Sequence, residues 1–150
     1  MRGMTSHQIN KELLNEPTYL GCYPSNRIPW IRSFPSTIIV NTREHTHPGQ
    51  HWVAFHFNRE YCLYFDSFGF PILEDDIFHT IKNFYPTVIY NQKCIQDITS
   101  QSCGKFCIAF VKSVFSLESF DSFINSFNFN RLSLNDNIVL KYMWILYLYP

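Results

Sequence analysis

The amino-acid sequence predicts an α+β domain, with helices flanking a small and mostly antiparallel sheet. Two observations support this fold class. Short runs of β-branched and aromatic residues lie in the middle of the chain, and segments with helical spacing of apolar residues lie around them. The 150 residues, 46% of them hydrophobic, are ample for one core and few for two. We therefore expect a single domain over residues 1–150.

The first half of the chain supplies one predicted helix and three predicted strands. The segment TSHQINKELLNE is read as a short helix that Pro17 ends, and the segment GCYPSNRIPWIRSFPS is read as turns. A strand TIIVNT and a loop REHTHPGQ follow. The runs HWVAFHF and YCLYFDSF are separated by Asn58, Arg59 and Glu60, which predicts a β-hairpin.

The second half is mainly helical. Acidic residues open the segment Leu73–Tyr85, its apolar residues recur at helical spacing, and Pro86 ends it. The run TVIY then predicts one more strand. From Cys103 to Phe115 apolar residues recur every three or four positions, which predicts a core helix that starts at Cys103. Two further helices, Leu117–Phe127 and Asn135–Tyr147, are expected to close the chain.

Composition argues against several classes of protein. The formal net charge is +0 and the basic residues form no run, so the sequence lacks the usual mark of a nucleic-acid or anionic-membrane partner. The most apolar segment, residues 138–148, contains Lys141 and is too short to cross a bilayer. Five cysteines at irregular spacings do not resemble a disulfide framework, and the N-terminus lacks the apolar core of a secretory signal. We expect a soluble monomer with free thiols.

The position of Cys103 points to chemistry. This cysteine stands where the polar stretch QDITSQS changes into the apolar helix, so its sulfur lies at or near a helix N-terminus. Unpaired backbone N–H groups and the helix dipole stabilise a thiolate there by up to about 1 kcal/mol. The alternative is a cysteine that merely packs as a small apolar side chain, which is common for free thiols.

Three other residues supply what a catalytic cysteine needs. His51 begins one strand of the predicted hairpin and Asp66 follows the other, which places them opposite or diagonal to each other. A histidine held by a carboxylate can act as the base for a thiol nucleophile. Gln96, seven residues before Cys103, could donate its amide N–H to an oxyanion beside the backbone N–H of Cys103.

These motifs resemble a known family. HWVAFHF, CLYFDSFGF and the Gln-x6-CysGlyLysPheCys segment, in this order, are similar to the adenovirus maturation cysteine proteases. YLGCYPSNRIPW and the closing NDNIVLKYMWILYLYP also resemble that family, whose clan includes proteases of ubiquitin-like proteins. The resemblance implies a papain-like or adenain-like fold, with His51 as base, Asp66 as orienting acid, Gln96 as oxyanion donor and Cys103 as nucleophile. Adenoviral members carry Glu where this chain has Asp66.

The resemblance also implies further properties. Trp52 would pack beside His51 at the substrate site, and Gly104 would let the substrate backbone approach closely. The substrates would be viral capsid or core precursors cleaved after glycine or another small residue, and the protease would act in the host nucleus or the virion. An activating peptide or viral DNA is implied as a cofactor by the family alone, and the sequence itself requires none.

Alternative functions remain open at this stage. The same residues suit an isopeptidase that removes a ubiquitin-like modifier, or a catalytically silent module that binds a glycine-rich tail. His45, His47 and His51 could be read as a zinc cluster, but no cysteine lies at ligand spacing and we expect no metal site. Aromatic runs such as SFDSFINSFNFNR lack interleaved basic residues and are read as core, not as stacking platforms for bases.

Overall fold

The computed structural model describes residues 3–42 and 51–148. It consists of five helices, five strands and a short 3₁₀ turn at Leu132–Leu134 within those ranges. The helices are α1 Ser6–Glu12, α2 Asp75–Phe84, α3 Cys103–Ser113, α4 Leu117–Asn125 and α5 Asn135–Leu148. The strands are β1 Tyr19–Pro24, β2 Ser36–Asn41, β3 Trp52–Phe57, β4 Cys62–Phe65 and β5 Val88–Tyr90.

The strands form one mixed sheet in the order β1-β2-β3-β4-β5. β3 pairs antiparallel with β2 and β4, whereas β1 runs parallel to β2 and β5 runs parallel to β4. The α+β prediction is confirmed, but the sheet is mixed where a mostly antiparallel one was expected. Helix α2 connects β4 to β5, and a crossover of this kind returns the chain in the same direction, so the new strand is parallel.

Strand β1 was not predicted, because its sequence YLGCYP contains two residues that normally interrupt strands. Pro24 lies at the end of this edge strand, where a missing N–H costs little. Gly21 has a φ of 146° and lies at an irregularity in the pairing with β2, a backbone conformation that suits glycine. The strand therefore tolerates both residues, for reasons that depend on its place in the sheet.

Apolar layers cover both faces of the sheet. On one face, the core contains Ile39, Ala54, Leu63 and Phe65 together with most of α3 and parts of α4 and α5. On the other face, Val53, Phe55 and Tyr64 pack with Ile77 and Ile81 of α2. Helix α3 is buried along nearly its whole length, so its first residue is held rigidly at the end of the sheet.

The predicted elements lie where the sequence placed them, with small shifts of their ends. Helix α2 begins at Asp75, two residues after the predicted start, and ends at Phe84. Helix α4 ends at Asn125, two residues before the predicted Phe127. The β3–β4 hairpin is present, with Ala54 opposite Phe65 and Phe57 opposite Cys62. None of the helices in the described ranges has the length and apolarity that crossing a bilayer requires.

Candidate active site

Cys103 is the first residue of α3, and its side chain is almost completely buried at the junction of that helix and the sheet. The loop 91–102 leads into the helix, and its end is fixed by the hydroxyl of Ser100. This oxygen accepts a hydrogen bond from Ser102 N at 3.1 Å and donates one to Asp136 Oδ1 at 2.9 Å. The start of α5 therefore helps to hold the residue that precedes the thiol.

His51 and Asp66 meet at the same end of the sheet. His51 precedes β3 and Asp66 follows β4, and these strands are paired neighbours. His51 Nε2 lies 2.8 Å from Asp66 Oδ1. Cys103 lines the same cavity as His51 and is close enough to contribute to the raised pKa of its imidazole. Because Nε2 is bonded to Asp66, Nδ1 is the ring nitrogen left to exchange a proton with Cys103. The three side chains thus form a Cys-His-Asp series.

The surroundings of His51 favour its charged form. Burial by itself lowers the pKa of this imidazole, but its interactions with Asp66 and Cys103 outweigh burial and raise the pKa to about 9. The imidazole is therefore mostly protonated near neutral pH, in keeping with its short contact to a carboxylate.

The turn Asp66–Gly69 builds much of the site. Asp66 Oδ1 also accepts a hydrogen bond from Phe68 N at 2.9 Å, and Gly69 N donates to Asp66 O at 2.8 Å. The Phe68 ring stacks on the His51 ring with 4.9 Å between their centroids. Sequence reasoning did not single out Phe68, although Asp-Ser-Phe-Gly after a strand is a typical turn in which the aspartate bonds the backbone two residues on.

Gly69 lets this turn lie directly against the loop 91–102. Its φ is 78°, and a Cβ built on it would approach the carbonyl carbon of Lys93 to 2.6 Å. A side chain at this position would force the loop away from the turn. Glycine is therefore required here both by the backbone conformation and by the close approach.

Gln96 lies in the same loop, and 1% of it is exposed. Its Nε2 donates to Ser100 O at 2.9 Å, and its Oε1 accepts from Ser67 Oγ. The residue lines the same cavity as Cys103 and His51. Because an amide nitrogen carries two N–H groups, one remains for a ligand in that cavity.

The cavity has a volume of about 590 Å³ and is lined on one side by residues 3–6 of the N-terminal segment. Trp52, also in the lining, donates from Nε1 to Met4 O at 3.0 Å and so ties this segment to β3. Thr5 and Gln8 form a capping box that starts α1 directly afterwards. Met4 was not predicted as a site residue, and nothing in the local sequence indicates its position.

Gly104 has neighbours other than the expected substrate backbone. A Cβ built on it would lie 3.1 Å from Met4 Cβ and 3.4 Å from Ile9 Cδ1. The structural reason for glycine here is thus the close packing of the N-terminal segment on α3. That Gly104 serves the approach of a substrate stays a prediction.

The other cysteines differ from Cys103 in their surroundings. Burial raises the pKa of Cys107 well above its usual range and that of Cys62 to about 12. Cys22 donates to or accepts from Tyr19 Oη at 3.0 Å, and Cys94 is exposed. Among residues 3–42 and 51–148, no group of three or more His, Cys, Asp or Glu side chains could hold a metal ion. His45 and His47 of the zinc alternative lie outside those ranges.

Comparison with solved structures finds chains that are similar to this one. No protein-family model and no curated protein sequence matches the chain. The fold is similar to that of the selenomethionine crystal structure of the ASFV pS273R protease, with a TM-score of 0.39 and 19% sequence identity. The match covers 71% of this chain and 43% of that protease, so this chain spans less than half of its length.

Proposed function

We propose that the protein is a cysteine endopeptidase that uses Cys103 as nucleophile. The observation that carries this proposal is the His51–Asp66 hydrogen bond beside Cys103, in a cavity that His51, Cys103 and Gln96 all line. Geometry of this kind, with a nucleophile, a base and a group that orients the base, is the general arrangement of nucleophilic acyl transfer.

Each residue takes a distinct role in the reaction. The proton of Cys103 passes to His51 Nδ1 first, and the resulting thiolate, paired with the imidazolium, attacks the carbonyl carbon of the scissile peptide. The negative charge on the carbonyl oxygen is stabilised by the free N–H of Gln96 and by the backbone N–H groups at the start of α3. His51 then protonates the leaving amine, and water resolves the thioester with His51 as base.

Asp66 holds the imidazole in the orientation that both proton transfers need. Its Oδ1 is fixed from two directions, by His51 Nε2 at 2.8 Å and by Phe68 N at 2.9 Å. Stacking by Phe68 covers one face of the ring. The imidazole therefore has little freedom to rotate away from Cys103.

The substrates that we propose are protein precursors, cleaved after glycine or another small residue. The cavity supports an extended chain that passes between the N-terminal segment and the His51–Phe68 side, because both sides line it. Resemblance to the adenovirus maturation proteases supports viral capsid or core precursors, in the host nucleus or the virion. The same resemblance supports testing an activating peptide and DNA as additions to the peptidase assay.

Hydrolysis of a fluorogenic peptide ending in Gly-Gly tests the proposal. The wild type should cleave it, Cys103→Ala should not, and Cys22→Ser serves as the matched thiol variant that keeps activity. A parallel assay uses an intact conjugate of a ubiquitin-like modifier. Cleavage of the conjugate with no cleavage of the peptide would favour an isopeptidase, and a wild type inactive on both would favour a silent binding module.

A further inference from the structure

The hydroxyl of Ser67 lies next to the amide of Gln96 in a fully buried position. Ser67 is 0% exposed, and its Oγ donates to Gln96 Oε1 at 2.5 Å. The two residues are 29 positions apart in the chain, so the contact exists only in the folded protein. Ser67 itself has no place in the Cys103, His51 and Asp66 series.

The orientation of the Gln96 amide follows from its two partners. Ser100 O is a backbone carbonyl and can only accept, so the amide face toward it must be the NH₂ group, at 2.9 Å. The opposite face is then the carbonyl oxygen, which needs a donor, and the Ser67 hydroxyl supplies it. A flipped amide would bring two acceptors together at Ser100.

The backbone of Ser67 holds the same segment. Its carbonyl oxygen accepts from Ile95 N at 2.9 Å and from Gln96 N at 3.1 Å. The serine therefore fixes both the main chain of Gln96 and the direction of its side chain. The remaining N–H of the amide is directed by these constraints, and Gln96 lines the cavity beside Cys103.

We propose that Ser67 is a positioning residue, which fixes the Gln96 amide so that its free N–H faces the oxyanion. This proposal rests on the proposed function. Removing the Ser67 hydroxyl leaves Gln96 Oε1 buried without a donor. Because an unsatisfied buried acceptor is destabilising, the amide is then expected to rotate or shift. Loss of one oxyanion donor lowers kcat by about 10²–10³. A displaced Gln96 amide should lower kcat less than a missing one, so we expect about a tenfold loss of kcat in Ser67→Ala.

The test is a double-mutant cycle with Ser67→Ala, Gln96→Ala and the combined variant, measured with the fluorogenic Gly-Gly peptide. We expect Ser67→Ala to lower kcat about tenfold with little change in KM. The combined variant should be no slower than Gln96→Ala alone, because Ser67 acts through the amide. Ser67→Thr, which keeps a hydroxyl, should recover activity if its thermal unfolding matches the wild type.

Alkylation of Cys103 by iodoacetamide provides a second readout, since this displacement forms no oxyanion. Its rate should be unchanged in Ser67→Ala, whereas a general disturbance of the fold would slow it. Ser36→Ala is the matched control. Ser36 is also buried, donates to Ser33 O at 2.6 Å and opposes Phe57 at the other end of β3 from His51.

The outcomes separate the two proposals. Wild-type kcat in Ser67→Ala, or a full additional loss on the Gln96→Ala background, overturns the role of Ser67 and leaves the peptidase proposal intact. A parallel fall in the alkylation rate also overturns it. A wild type that hydrolyses no peptide overturns the proposed function, and the role of Ser67 with it.

Discussion

Replacing Asp66 by Asn removes the charge beside His51 while keeping an oxygen that can accept hydrogen bonds. Asp66 is 5% exposed, and its Oδ1 accepts from both His51 Nε2 and Phe68 N. The amide oxygen of Asn can take the same two bonds, so we expect the turn and the fold to persist. The substitution therefore tests the charge more than the geometry.

The expected magnitude follows from the pKa of His51. Burial lowers that pKa, yet Asp66 and Cys103 together raise it from 6.5 to about 9. This rise corresponds to about 3 kcal/mol in favour of the imidazolium. If most of that stabilisation is lost in Asp66→Asn, kcat should fall about 10²-fold, which is less than the complete loss expected for Cys103→Ala.

The pH dependence of kcat/KM for the Gly-Gly peptide is the sharper assay. His51 must be charged to protonate the leaving amine, so wild-type activity should decline as pH rises through about 9. In Asp66→Asn this alkaline decline should occur at least about one pH unit lower, since about 1.4 kcal/mol corresponds to one unit. Asp121→Asn, on the exposed side of α4, is the matched control and should leave the profile unchanged.

A wild-type profile in Asp66→Asn, together with wild-type kcat, would refute the reasoning. Asp66 would then have no electrostatic role at His51, whatever the distance between them. Asp66→Glu adds a test of position. The longer side chain should displace the carboxylate by about 1 Å and cost roughly tenfold in kcat, because errors of that size are expensive in catalysis.

Three further predictions concern reactivity, stability and the cavity wall. At pH 7, iodoacetamide followed by mass spectrometry should show Cys103 labelled before Cys94. Cys94 is exposed, but partial burial of its thiol raises its pKa. Equal labelling of both would argue against a His51-assisted thiol. The raised pKa of His51 contributes stability that is full below about pH 6.5 and lost as pH rises through about 9, so the wild-type Tm should fall more over that window than the Tm of His51→Gln. Gly104→Ala places a Cβ 3.1 Å from Met4 Cβ and should raise KM severalfold by moving the N-terminal segment, and an unchanged KM would mean that this segment does not contact the substrate.

Much of the fold could be predicted because its signals are local. Each of three signals depends on residues within one helical turn or one hairpin. They are the helical spacing from Cys103 onward, the acidic residues at the start of α2 and the polar link 58–60. The parallel pairings of β1 and β5 could not be predicted in this way. Their partners are chosen by crossovers through a loop and through α2, and the strand YLGCYP contains the very residues that usually exclude a strand.

The candidate site divides along the same line. Sequence, with the family resemblance, selected His51, Asp66, Gln96 and Cys103. His51, Asp66 and Cys103 each stand at the end of a recognisable strand or helix, and Gln96 lies at a fixed spacing before Cys103. The roles of these residues in catalysis stay predictions until the variants are measured. The structure contributes the 2.8 Å contact between His51 and Asp66, and the raised pKa of His51.

Only the tertiary structure decided how these residues are supported. Ser67 meets Gln96 across 29 positions of the chain, and Trp52 meets Met4 across 48. Phe68 reaches the His51 ring from the turn after the adjoining strand, and Gly104 packs closely against Met4. Local patterns constrain only neighbours along the chain, whereas contacts of this kind depend on how whole elements pack. The sequence therefore determined which residues could react, and packing determined what holds them in place.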